Sequence, residues 1–111
     1  MQSFDREKAL KTFGSADVLR EAGAVYLAEA EGMFGQLRQA AETRDFEALR
    51  EKAHWIKGGM VYLHATPAAE TARAIEQAAK DGEESTLDPL VEQLGQQMAA
   101  LGRALSQEVA R

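Results

Sequence analysis

The chain has 111 residues, 45% of them hydrophobic and 28% charged, a balance that fits one globular domain and argues against disorder. Its net charge of −5 disfavours nonspecific nucleic-acid binding, which needs a clustered basic surface, and the lack of cysteine excludes disulfides and thiolate metal sites and fits a reducing compartment. No run of about 18 apolar residues occurs, so no membrane span is expected; the start Met1-Gln2-Ser3-Phe4-Asp5 has neither the basic end nor the apolar stretch of a secretory signal, and a cytoplasmic location is the expectation.

Helical signals run through the chain from end to end. Residues near 4–11 predict a short N-terminal helix, a lid on the rest, closed by Gly14-Ser15. A long second helix follows, with Leu19, Ala22, Tyr26, Ala30, Met33 and Leu37 recurring at steps of three and four. Thr43-Arg44-Asp45 makes a short turn. The next helix carries Phe46, Leu49, Ala53, Ile56, Met60 and Leu63 on one face. Thr66-Pro67 reads as an N-cap followed by proline at the first helical position, and the proline also disfavours continuing the preceding helix through Thr66. The fourth helix has a softer stripe, Ala68, Ala72, Ile75 and Ala79, and Lys80-Asp81-Gly82 ends it with a glycine. Asp88-Pro89, or Ser85 slightly earlier, starts the last helix, whose stripe is Leu87, Leu90, Leu94, Met98, Leu101 and Leu105.

Each stripe needs a partner to bury against, and short turns make neighbouring helices antiparallel. The expected fold is therefore all-α: an antiparallel up-down four-helix bundle with a short N-terminal helix, one domain over residues 1–111. Gly32, Gly35, Gly95 and Gly102 are expected to let helices approach closely. A methionine start and a complete small bundle favour a free-standing protein, but a domain excised from a larger kinase would look similar.

The chemically informative stretch is Ala53-His54-Trp55-Ile56-Lys57-Gly58-Gly59. His54 shares a helix face with Lys57 at i+3 and Gly58 at i+4. It lies beside the apolar stripe, not on it, so it belongs on the rim or outer surface of the bundle. A cation and a bare patch of backbone next to an exposed imidazole suit a histidine that a bulky anionic group must reach. An imidazole, with an ordinary pKa of about 6.5, supplies an unprotonated nitrogen near neutral pH, and Lys57 can offset charge on a transferred group. No Gly-rich phosphate loop, kinase motif or acidic cluster suited to Mg²⁺ is present. The chain is therefore not expected to be an enzyme that phosphorylates itself from ATP, and it needs no cofactor of its own. The competing reading is a non-catalytic helical protein-interaction module docking through a Trp55/Val61 surface, in which His54 is replaceable. A metal or haem bundle needs several inward-facing ligands, which two histidines on different faces do not provide.

The segment resembles the A-H-x-x-K-G signature of histidine-containing phosphotransfer (HPt) domains. The likeness extends to Ile56, Leu63 and Ala65. Downstream, Ile75-Glu76 followed by Ala78-Ala79-Lys80-Asp81-Gly82 resembles that family's L-E-x-A-x-x-G-D region, and Leu37 and Ala40 resemble its upstream L-x-x-A. The resemblance implies that His54 is phosphorylated on Nε2, that Lys57 lies beside the phosphate, and that Gly58 leaves room for the phosphoryl group and the partner. It also implies that Glu76 holds Nδ1 and that Lys80 helps hold the anion. The implied partners are response-regulator receiver domains, which bring the aspartate and Mg²⁺, and an upstream sensor or hybrid histidine kinase. Two positions depart from the pattern. His64 stands where the family commonly has glycine; at about 100° per residue it would fall ~80° around the helix from His54, and it is expected to cap the helix C-terminus. Trp55 is larger than the residues common after the histidine and is either a core-edge anchor or an exposed docking aromatic.

Overall fold

The computed structural model describes residues 2–111. Five helices follow one another: α1 (Arg6–Phe13), α2 (Ala16–Glu42), α3 (Phe46–Tyr62), α4 (Thr66–Asp81) and α5 (Leu87–Val109). Helices α2 to α5 form an antiparallel four-helix bundle, with α3 against α4 as its most extensive pairing; with α1 the molecule measures 42 × 21 × 21 Å.

The first three helices begin as polar capping demands. The side chains of Asp5, Ser15 and Asp45 accept hydrogen bonds from the backbone N–H of Lys8, Val18 and Ala48, at 3.1, 3.2 and 3.1 Å. Each such cap contributes about 1 kcal/mol. The last two starts differ from the sequence expectation. Helix α4 already includes Thr66, follows Ala65 and has no side-chain cap; Pro67, which lacks an N–H, removes one of the donors a cap would otherwise satisfy. Helix α5 starts at Leu87, and neither Ser85 nor Asp88 caps it; Asp88 instead accepts from the Arg44 guanidinium at 3.2 and 3.3 Å. Gly14 (φ 85°) and Gly82 (φ 66°) close α1 and α4 in the left-handed region that glycine enters without penalty.

The core is one cluster. Leu19 and Leu37 of α2, Leu49, Ile56 and Met60 of α3, Ile75 of α4, and Leu87, Leu94, Leu101 and Leu105 of α5 are all essentially fully buried. Burying each large side chain contributes roughly 1.5–3 kcal/mol. On α5, Val91 is buried and Leu90 only partly so, a shift of one position from the expected stripe. The Tyr26 hydroxyl, deep between α2 and α5, donates to the Met98 carbonyl at 2.9 Å, and burial pushes its phenol pKa well above the usual range.

Only some glycines mark close helix approach. A Cβ on Gly95 would meet the Phe34 ring at 2.9 Å, and one on Gly102 would meet Leu27 at 3.7 Å, whereas Gly32 and Gly35 face open space. Gly23, absent from the expected set, is buried against Val109 and Leu105.

Helix α1 is fastened at both ends. Arg6 donates to both carboxylate oxygens of Glu108 at 2.8–3.0 Å, and Phe4 just before the helix and Ala9 within it are buried. The Asp5 N–H donates to the His64 carbonyl at 2.9 Å. A 2.6 Å hydrogen bond joins the Thr12 hydroxyl to His64 Nε2, and Phe13 meets Tyr62 edge-on, with ring centroids 4.8 Å apart. His64 is thus not a helical residue ~80° from His54: α3 ends at Tyr62, and His64 follows with φ 56°. It is the left-handed residue that turns α3 into α4, and its ring ties α1 down.

Candidate functional site

The buried face of α3, made by Leu49, Ala53, Ile56 and Met60, leaves the next residue round from Ala53 outside. His54 projects from the middle of α3 with its side chain 68% exposed. Across the α3–α4 seam Glu76 extends from a position adjacent to buried Ile75 and Ala79. Its carboxylate divides between two partners: Oε2 lies 2.9 Å from His54 Nδ1 and Oε1 accepts from Lys57 Nζ at 2.8 Å.

Glu76 is only 22% exposed. Burial raises the pKa of a carboxylate, but the hydrogen bonds from Lys57 and His54 together outweigh it, so this carboxyl lies below its ordinary range. It is therefore ionised near neutral pH and can only accept. The proton of the 2.9 Å bond must sit on Nδ1, which leaves the lone pair on Nε2, pointing away from Glu76. One carboxylate thereby sets the tautomer, the ring orientation and the place of the neighbouring ammonium.

The surroundings of the ring are open. A Cβ on Gly58 or Gly59 would meet no heavy atom within 4 Å. On the other side of His54, an apolar groove runs between α2 and α3, lined by Val25, Glu29, Met33, Trp55, Gly58 and Tyr62 among others. Trp55 is 54% exposed, so it is not a core-edge anchor; Lys52 lies over its ring at 5.9 Å. Lys80 is exposed and forms no ion pair among the described residues.

The structure thus brings together His54, Lys57, Gly58 and Glu76 and sets His64 apart. Sequence reasoning missed the groove and, with it, Val25, Glu29 and Tyr62. Tyr62 lies seven residues after Trp55 and so on the same face of α3, a signal that was there to read. Val25 and Glu29 sit outside the α2 stripe and gave none.

A family model, Hpt domain, matches residues 22–104. Among solved structures, the crystal structure of histidine-containing phosphotransfer protein B (HptB) from Pseudomonas aeruginosa PAO1 is similar, with a TM-score of 0.80 and 27% sequence identity over 83% of this chain and 80% of that one. No curated protein matches. The chain belongs to the Hpt domain family: it is a histidine phosphotransfer protein of the phosphorelay type, and domains of this family work as phosphoryl carriers with kinases and receiver domains. The matched span leaves out α1, the start of α2 and Glu108, α1's anchor on α5, but includes His64, its other anchor. No helix of the described residues is long and apolar enough to cross a membrane.

Proposed function

We infer that His54 is the phosphoacceptor and that it exchanges its phosphoryl group with an aspartate of a response-regulator receiver domain. The observation that carries this reading is the division of Glu76 between His54 Nδ1 and Lys57 Nζ, beside a ring whose Nε2 side is open. Nε2 attacks the phosphorus of an aspartyl phosphate. The P–N bond forms as the P–O bond to the aspartate breaks, and the carboxylate leaves with its electron pair. The imidazole keeps its Nδ1 proton and becomes cationic, and the Glu76 carboxylate faces that charge at 2.9 Å. Lys57, 2.8 Å from the same carboxylate, is one swing of its side chain from the incoming phosphoryl oxygens and offsets their charge. Gly58, one turn on, leaves space above the ring.

In this reading the chain is half of an active site and has no kinase activity of its own. The aspartate and the Mg²⁺ that neutralises the phosphoryl group belong to the receiver, and an upstream sensor or hybrid histidine kinase feeds the relay. Residues 1–111 act as one unit, since α1 is clamped to the bundle through Glu108 and His64. The test is incubation with receiver domains phosphorylated by acetyl phosphate. The chain is expected to take up an acid-labile, base-stable label, as a phosphoramidate does. Absence of label from every receiver and from phosphoramidate itself would favour the inert interaction module.

A further inference from the structure

Helix α1 and the other four helices are held in place by different forces. Each of α2 to α5 puts at least one large side chain into the core that is essentially fully buried; α1 puts none there. Within α1 only Ala9 is buried, and Leu10 and Phe13 are partly so. Its hold is mainly polar. The Arg6 guanidinium donates to both oxygens of Glu108 at 2.8–3.0 Å. Three further contacts converge on the turn between α3 and α4. The Asp5 N–H donates to the His64 carbonyl at 2.9 Å, the Thr12 hydroxyl lies 2.6 Å from His64 Nε2, and the Phe13 ring stands edge-on to Tyr62.

The junction with α2 is equally distinct. Gly14, at φ 85°, closes α1 by donating its N–H to the Leu10 carbonyl at 2.8 Å, and Ser15 caps α2 with its own side chain. Neither helix needs the other to end or to begin. An eight-residue helix is too short to persist alone in water, so α1 is helical only while docked. The latch end carries a cost. His64, at φ 56°, sits in the left-handed region, where a side chain is penalised and glycine is not. What its ring supplies in return is the bond to Thr12.

We propose that α1 is a strap that undocks and melts as one unit while α2 to α5 stay folded, and that the ring of His64 is its latch. Undocking turns on the Gly14-Ser15 hinge, withdraws Phe13 from Tyr62 and uncovers the Glu108 carboxylate, whose side chain is 3% exposed in the docked state. Tyr62 is itself exposed and lines the groove beside His54, so the strap reaches the edge of the site without touching His54. Segments with few buried apolar contacts open locally at a lower free energy than the whole fold, and α1 is the helix of this kind here. None of this depends on which group His54 receives.

The test is native-state hydrogen exchange of the full chain, read residue by residue by NMR, for wild type, Arg6→Gln, Thr12→Val and His64→Gly. In wild type the amides of Asp5 and of residues 9–14 are expected to share protection factors within about threefold, at least about a hundredfold below those of Ile56, Ile75 and Leu101, as one local opening unit does. Arg6→Gln and Thr12→Val are expected to lower the α1 protection by about tenfold and to leave the core amides within about twofold. His64→Gly separates latch from turn. Glycine suits the left-handed turn, so core protection is kept or rises, while α1 protection falls by about tenfold and the Tyr62 ring resonances shift. One protection level shared by α1 and the core in wild type, or a common fall of both in Arg6→Gln, makes α1 an inseparable part of the bundle and overturns the strap. No protection of α1 in wild type overturns it as well, by showing the helix undocked. Unchanged α1 protection in His64→Gly overturns the latch.

Discussion

The molecule has two histidines, ten positions apart, and each makes one side-chain hydrogen bond. His54 spends Nδ1 on a partly buried carboxylate and leaves Nε2 in solvent. His64 spends Nε2 on Thr12, lends its backbone carbonyl to Asp5, and sits in a left-handed turn. What separates a reactive imidazole from a structural one here is therefore not the residue or its exposure alone. It is which nitrogen is committed, and whether the backbone one turn further on is bare. Gly58 supplies that bareness for His54, whereas the chain after His64 turns into α4.

The sharpest way to break this comparison is to exchange the two losses. His54→Gln is expected to abolish labelling by a phosphorylated receiver, while His64→Gln should retain it within about threefold and lower the melting temperature slightly by loosening α1. Label retained in the first variant and lost in the second would invert the assignment.

Gly58 is the next largest effect. Helical side chains lean toward the N-terminus, so a leucine here projects beside His54. Gly58→Leu is expected to slow transfer by at least about tenfold in a folded bundle. Because a Cβ at this position meets nothing within 4 Å, replacing the glycine should also stabilise the helix by about 0.5–1 kcal/mol. Thermal unfolding and transfer rate, measured together, should move in opposite directions. Normal transfer by the folded variant would show that the open backbone has no role.

Glu76 sharpens the comparison from the other side. Glu76→Ala frees both the imidazole and Lys57 and is expected to slow transfer by about fivefold to tenfold without preventing it. Glu76→Gln keeps an acceptor and should lose less. Equal rates in all three proteins would mean that the orienting group lies elsewhere.

The smallest effect concerns the clamp on α1. Glu108 has a side chain only 3% exposed, and its hydrogen bonds from Arg6 hold its pKa below the ordinary carboxylate range against the opposing effect of burial. A depressed folded-state value contributes stability that is present above the unfolded pKa of about 4.3 and lost as pH falls through the folded one. Acid unfolding followed by circular dichroism should therefore be less steep in Glu108→Gln than in wild type, and that variant should melt about 5 °C lower at neutral pH. An identical acid profile would mean that the pair contributes nothing.

Much of this was legible in the sequence. The 3.6-residue stripes locate α2, α3, α4 and α5, and adjacency to the stripe puts His54 outside the core. The face shared by His54, Lys57 and Gly58 follows from helical spacing alone, while Glu76 came from the family resemblance and its place one position off the α4 stripe. Other features rest on contacts between residues far apart in the chain. Arg6 meets Glu108 across 102 positions, and no local pattern marks either residue. The groove is lined by residues of both α2 and α3, and amphipathic periodicity does not encode how two helices sit against each other. Carrying the α3 stripe through His64 overruns the helix: α3 ends at Tyr62 and His64 takes φ 56°, a left-handed turn that no glycine marks in the sequence.

The central claim is that His54 accepts the phosphoryl group on Nε2 while Glu76 keeps hold of the Nδ1 proton. The direct measurement is a long-range ¹H–¹⁵N NMR correlation spectrum of the ¹⁵N-histidine-labelled chain, before and after phosphorylation. The unphosphorylated His54 ring should show the Nδ1–H tautomer, and phosphorylation should shift its Nε2 resonance while the Nδ1 proton persists and His64 is unchanged. Phosphorylation at Nδ1 of His54, or on the ring of His64, would contradict it.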